Sequence, residues 1–184
     1  MRGSRRTMEE FLASVERRAF RMAQISTGYS EDALDIVQDT MFIWVRKYSE
    51  KPEEEWRPLF FRILQNKIRD WHRRNNIRKR WRIWLQPWGK SFEKESVENP
   101  IEHLADPAAS DIGDQMILGH SIKALEASIT ALPLRQQQAF LLRAWEEMNV
   151  RETAAVMGCS EGSVKTHYSR AVHALRNLLE DHRP

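Results

Sequence analysis

A single cysteine, Cys159, in 184 residues excludes an intrachain disulfide and fits a reducing compartment. It stands where two helices should meet, which suggests packing rather than chemistry. Glycine is also sparse, and none of the seven forms a phosphate-cradling loop. The six histidines and the one cysteine show no recognised metal-ligand spacing. No apolar run is long enough for a membrane span. The opening Met1-Arg2-Gly3-Ser4-Arg5-Arg6 is followed by Glu9 and Glu10 rather than by an apolar export core. The expectation is a cytoplasmic protein that is not an enzyme, with no catalytic residue, cofactor, metal or small-molecule substrate.

Charge is plentiful and segregated. A net charge of only +3 conceals two opposite blocks. From Arg57 to Trp84 there are ten lysines and arginines against one acid, Asp70. From Glu93 to Asp114 there are seven acids against one lysine, Lys94. Such blocks suggest one surface for a polyanion and another segment that avoids a polyanion or imitates one.

Apolar residues recur at helical spacing, and no convincing alternation marks a strand. The fold expected is all-α: two small helical domains joined by a long linker, the C-terminal one a helix-turn-helix. A first helix starts at Thr7 with Glu10 completing a capping box, and buries Phe11, Leu12, Val15, Ala19 and Met22. A second starts after Ser30 and buries Leu34, Val37, Met41, Trp44, Val45 and Tyr48. A third begins near Trp56, with Pro58 in its first turn. It draws its apolar face from Leu59, Phe60, Phe61, Leu64, Ile68 and Trp71. Periodicity then fails from about Asn76 to Gly113, where Pro87, Pro100 and Pro107 punctuate the chain. The domains are therefore drawn at 1–76 and 114–184, with a linker at 77–113. Trp81, Trp84 and Trp88 are unusual in a free linker and point to docking on something. Helices resume near Asp114, break at Leu132-Pro133, and continue through Ala139, Phe140, Leu142 and Arg143.

The segment from Asn149 to Arg170 reads as two short helices around a tight turn. Gly158 sits where the first must stop in a left-handed conformation. Ala154 is small enough for a close crossing, and Ser160 can cap the second helix. Val164, Tyr168, Ala171, Leu175 and Leu178 form a buried stripe. Ser163, Lys165, Thr166, His167, Ser169 and Arg170 lie on the other face, with cations and hydroxyls that can reach phosphates and base edges in a major groove.

Two further faces lie in the N-terminal half. Asp32, Asp35, Gln38 and Asp39 share a stripe of the second helix. It is either a solvated face or a dock for a basic partner. The third helix carries Arg62, Asn66, Lys67, Arg69, Arg73 and Arg74 among aromatics. Asn66 could read a base edge. Trp56, at the loop–helix junction, is the aromatic expected to stay partly exposed and able to stack on an unpaired base.

These residues carry a family resemblance. Glu31–Met41 resembles the acidic helix of bacterial RNA polymerase sigma factors. Trp56–Asn66, followed by Asp70 and Arg73-Arg74, resembles their promoter-melting helix. Leu132–Arg170 is similar to their C-terminal domain. Because only the two outer domains are represented, the resemblance is to the extracytoplasmic-function (ECF) group. It implies a transcription initiation factor whose partners are core RNA polymerase, promoter DNA and an anti-sigma factor. Asp32, Asp35, Gln38 and Asp39 would dock on a coiled coil of the core. Trp56, Arg62, Asn66, Lys67, Arg69, Arg73 and Arg74 would serve the minus-10 element. Ser163, Lys165, Thr166, His167, Ser169 and Arg170 would serve the minus-35 element. The linker would thread toward the RNA exit path. Leu59, where the family often has tryptophan, and His167-Tyr168-Ser169 depart from the pattern and leave the promoter sequence open.

Two other readings compete. Ser163–His167 also looks like the recognition helix of LuxR-type regulators, although residues 1–110 look like neither a receiver nor a ligand domain. A sigma-like adaptor that binds polymerase without a promoter would suit the acidic helix and the tryptophan-rich linker start.

Overall fold

The computed structural model describes residues 7–85 and 124–180, and all regular structure among them is helical. Helix α1 spans Met8–Thr27. The expected capping box forms: Thr7 Oγ1 accepts from the Glu10 amide at 3.2 Å, and Glu10 Oε2 accepts from the Thr7 amide at 2.9 Å. Gly28, at φ 78°, ends the helix by donating to the Gln24 carbonyl. Helix α2 spans Ser30–Tyr48. Helix α3 begins at Glu53, earlier than expected, and continues to Leu85. Pro58 therefore lies beyond the first turn and cannot donate to the Glu54 carbonyl. The first nine residues of the expected linker, 77–85, are helical; Trp88 and the acidic segment lie outside the described residues.

Aromatic packing welds these three helices. The Phe11 ring lies 5.1 Å from Trp44, 5.5 Å from Trp56 and 5.9 Å from Phe60. Trp44 and Phe60 are fully buried. The inner face of α2 is Ala33, Ile36, Val37, Thr40 and Trp44. Leu34 and Val45, expected inside, are exposed. Small Ala33 and buried Thr40 take the central positions instead. The Thr40 hydroxyl satisfies itself on the Ile36 carbonyl at 2.7 Å, so a polar residue can occupy the seam at little cost.

In the C-terminal half, α4 covers residues 124–131, and α5 spans Leu134–Phe140 before widening into a π-helical turn at Leu141–Trp145. The Glu146 amide reaches back to the Leu141 carbonyl at 3.0 Å, and Glu147 turns the chain with φ 51°. Helix α6 spans Val150–Met157 and has a capping box of its own, between Asn149 and Glu152. Helix α7 spans Glu161–Glu180. Val164, Ala171 and Leu175 are buried as expected, Tyr168 is half-buried, and Leu178 is exposed. The expected start near Asp114 lies outside the described residues.

The two halves pack on one another, with α6 against α3. Polar side chains cross the seam. The Ser26 hydroxyl donates to Gln137 Oε1 at 2.7 Å, Arg21 pairs with Glu126, and Arg18 and Arg57 converge on Glu146.

Gly158 is left-handed at φ 63°, ψ 47°, with open space where a Cβ would stand. Gly158→Ala should therefore lower stability by about 1 kcal/mol through backbone conformation alone. Urea unfolding checks this, and an unchanged midpoint would contradict it.

Candidate nucleic-acid interface

The turn between α6 and α7 positions the first candidate surface. Gly158 donates to the Ala154 carbonyl, and the following Cys159 amide reaches the same oxygen at 3.1 Å. The chain thus turns between the end of α6 at Met157 and the start of α7 at Glu161, where Ser160 Oγ accepts from the Ser163 amide at 3.1 Å. Burial of Ala154 and Val164 sets α6 and α7 side by side. Lys165, Thr166, Ser169 and Arg170 are then exposed on one face of α7, while Ser163 and His167 are half-buried at its edges. The Thr166 hydroxyl donates to the Gly162 carbonyl at 3.0 Å, leaving its lone pairs as acceptors. Tyr168 points elsewhere: it stacks on Phe140 at 6.3 Å, with the Arg143 guanidinium 5.7 Å from its ring centre.

The second surface lies on α3. Arg62, Arg73 and Arg74 are exposed, and Asn66, Lys67 and Arg69 are half-buried. They are partly engaged among themselves. Arg69 Nη2 donates to Asn66 Oδ1, and Arg73 lies 3.3 Å from Asp70. Desolvation, and then the Arg135 guanidinium of the other half, push the Arg69 pKa down from its ordinary value. Lys67 Nζ lies 2.8 Å from Asp39 Oδ2, which joins this surface to the acidic one.

Trp56 does not meet its expectation. It is 9% exposed, its ring packs on Phe11 and Trp44, and its indole N–H donates to the Lys51 carbonyl at 2.7 Å. It braces the loop against the core, and its ring faces are occupied. The earlier start of α3 explains the difference, because a residue already inside a helix turns with the helix's buried face.

On α2, Asp35, Gln38 and Asp39 are exposed and Asp32 is half-buried. Leu34, Phe42 and Val45 are exposed with them, Phe42 by 66%. Sequence reasoning missed Phe42. Its spacing of four from Gln38 was the available signal, placing it on the same face.

The family model for sigma-70 region 2 matches residues 7–78, and that for sigma-70 region 4 matches residues 122–175. The chain belongs to the sigma-70 family. Over 94 residues it is 37% identical to the RNA polymerase sigma-E factor of Streptomyces avermitilis, which covers 50% of this chain and 49% of that protein. It is 26% identical over 177 residues to the ECF RNA polymerase sigma factor SigE of Mycolicibacterium smegmatis, covering 95% of this chain and 62% of that one. The chain thus spans about half the length of the first of these relatives. Within the family it falls in the ECF group. Its fold is shared with the sigma factor RpoE of Bartonella quintana, solved with the anti-sigma factor NepR (TM-score 0.68, 21% identity, 95% of this chain and 98% of that one). It is also shared with CnrH, solved with the cytosolic domain of CnrY (TM-score 0.54, 21% identity, 95% and 90%). Among the described residues, no helix of this sigma-family chain is long and apolar enough to cross a membrane.

Trp56 should behave as a core residue. Trp56→Ala should cost about 3–5 kcal/mol in urea unfolding. Trp56→Phe should cost much less, chiefly the bond to the Lys51 carbonyl. A loss near zero for the alanine variant would return this side chain to the surface.

Proposed function

We propose that this chain is a transcription initiation factor that binds core RNA polymerase and directs it to specific promoters. The observation that carries this reading is the order of the matches: region 2 on the unit bearing the acidic α2 face and the cationic α3, region 4 on the unit bearing the exposed Lys165–Arg170 face. A LuxR-like regulator is not favoured, because residues 7–78 match region 2 rather than a receiver or ligand domain.

The work is binding work, in which the protein makes and breaks no covalent bond. Lys165, Thr166, Ser169 and Arg170, with Ser163 and His167 at the edges, would enter the major groove at the minus-35 element. Arg62, Lys67, Arg69, Arg73 and Arg74 would hold phosphates near the minus-10 element, and Asn66 would address a base. Trp56 would shape that site from beneath rather than stack in it. Melting becomes cheaper when the displaced strand gains cations and an unpaired base gains partners. Asp35, Gln38 and Asp39, supported by Asp32 and flanked by Leu34, Phe42 and Val45, would dock on a basic surface of the core. Charge would orient that encounter and apolar contact would hold it. The Lys67–Asp39 pair lies at the surface, with Asp39 exposed and Lys67 half-buried, and is worth only ~0–1 kcal/mol, so either partner can exchange it for a stronger ligand. An anti-sigma factor is part of the same proposal, as is residence in the cytoplasm, where the polymerase acts.

Run-off transcription with purified core polymerase on a genomic library tests the reading: promoter-dependent products are expected, and their complete absence would refute it. Asp35→Arg combined with Asp39→Arg should abolish core binding in a pull-down, whereas undiminished capture would remove that role. Arg170→Ala should weaken holoenzyme occupancy of the minus-35 element by roughly tenfold, as expected for one lost base or phosphate contact. Equal footprints would clear Arg170 of contact.

A further inference from the structure

Two aromatic rings, where α3 passes the turn between α1 and α2, belong to none of the faces described so far. Tyr29, in that turn, is 51% exposed, and Trp71 of α3 is half-buried. Their ring centres are 6.5 Å apart and their planes diverge by 50°, so the pair forms an open notch rather than a closed stack. Both rings are held from behind. The buried Thr27 hydroxyl accepts from the Tyr29 amide at 3.2 Å and donates to the Tyr29 carbonyl at 3.0 Å, which fixes the backbone that carries the ring. His72 meets Trp71 edge-to-face, with 5.0 Å between centres, and closes one side of the indole.

The notch is flanked by cations. Lys67, Trp71 and Arg74 stand at i, i+4 and i+7 and share one line of α3. Arg62, Asn66, Arg69 and Arg73 follow a second line, roughly 130° round the helix. Arg74 is exposed, and its Nε donates to the Asp70 carbonyl at 3.4 Å. Lys67 is tied only by its weak surface pair with Asp39. The Asp70 carboxylate lies 3.3 Å from Arg73, on the other line. From Lys67 to Arg74 the helix rises about 10 Å, leaving room for a nucleotide between the phosphates that the two cations would hold.

An accessible aromatic pair between two cations fits an unpaired base better than it fits a protein. A protein partner needs a contiguous apolar rim, and the exposed Ile77 follows Arg73 by one turn, on the other line. Duplex DNA offers phosphates but no free base face. A single strand offers both, so cations can take its phosphates while a ring takes the face of a base. We propose that Tyr29 and Trp71, flanked by Lys67 and Arg74, form a stacking site for one unpaired base of single-stranded DNA, separate from the line of Arg62 to Arg73. That the strand comes from an opened promoter rests on the sigma-factor reading above; the site itself does not.

The test uses the full chain without polymerase, so it can fail while the transcription assay succeeds. In an anisotropy titration, Tyr29→Ala should bind a fluorescently labelled oligothymidine about tenfold more weakly than the parent, as expected for one lost base stack. It should bind the same strand made abasic, and duplex DNA, as the parent does. Tyr29→Phe should match the parent throughout, because a ring face and not the hydroxyl is used. Trp71→Ala is judged by the same comparison; if that variant loses helix by circular dichroism, the exposed position Tyr29 decides alone. Lys67→Gln combined with Arg74→Gln should lower the slope of log affinity against log salt by roughly 1.4, about 0.7 per phosphate contact, on the thymidine and abasic strands alike. Equal losses for Tyr29→Ala on the two strands, no loss on either, or failure of the parent to hold the oligothymidine would overturn the site.

Discussion

The structure of the N-terminal half depends on where one indole goes. Trp44 is fully buried against Phe11 and Trp56, and this fixes the rotation of α2 about its own axis. Once Trp44 points inward, helical geometry sends Asp35, Gln38, Asp39 and Phe42 outward. The acidic face is thus a consequence of core packing as much as of surface composition. The same aromatic cluster holds the loop before α3, through the bond from Trp56 to the Lys51 carbonyl, and so sets where the cationic helix begins. In the C-terminal half Gly158 has the comparable role: one left-handed residue decides which side of α7 meets the core and which meets solvent.

Much of this was legible in the residues. The Thr7–Glu10 capping box, the break at Leu132-Pro133, the turn at Gly158 and the inward set Val164, Ala171 and Leu175 follow from local chemistry, and the structure has them where the spacing placed them. The exposed face of α7 was readable for the same reason, since cations and hydroxyls alternate with a strict apolar stripe. The failures arose where tertiary contacts outweigh local pattern. Leu34 and Val45 look like core residues by hydropathy, but Ala33 and Thr40 allow closer approach and take the seam. Trp56 looked like a boundary residue only because the third helix was expected to begin there, whereas the acidic turn Glu53–Glu55 is a favourable helix N-terminus that starts it earlier. No single-sequence signal could have paired Glu146 with Arg18 and Arg57, since the nearer of the two, Arg57, is 89 residues away along the chain.

The candidate surfaces are not independent. Lys67 and Asp39 tie the face suited to phosphates to the face suited to a basic protein, and Arg69 sits between Asn66 and the other half of the molecule. A region-2 unit of this kind presents its cations partly engaged. A change at any one of these contacts then redistributes charge near the next.

The length of α3 has a mechanical consequence. Its 33 residues make a rod of roughly 50 Å, far longer than α1 or α2, which brace only its first portion. Such a rod behaves as a lever arm. A tilt of about ten degrees near Pro58 would carry the far end at Leu85 through roughly 7 Å, given the rise per residue of a helix. Small adjustments in the aromatic bearing at its base are therefore amplified at its tip, where the chain leads on toward the second domain.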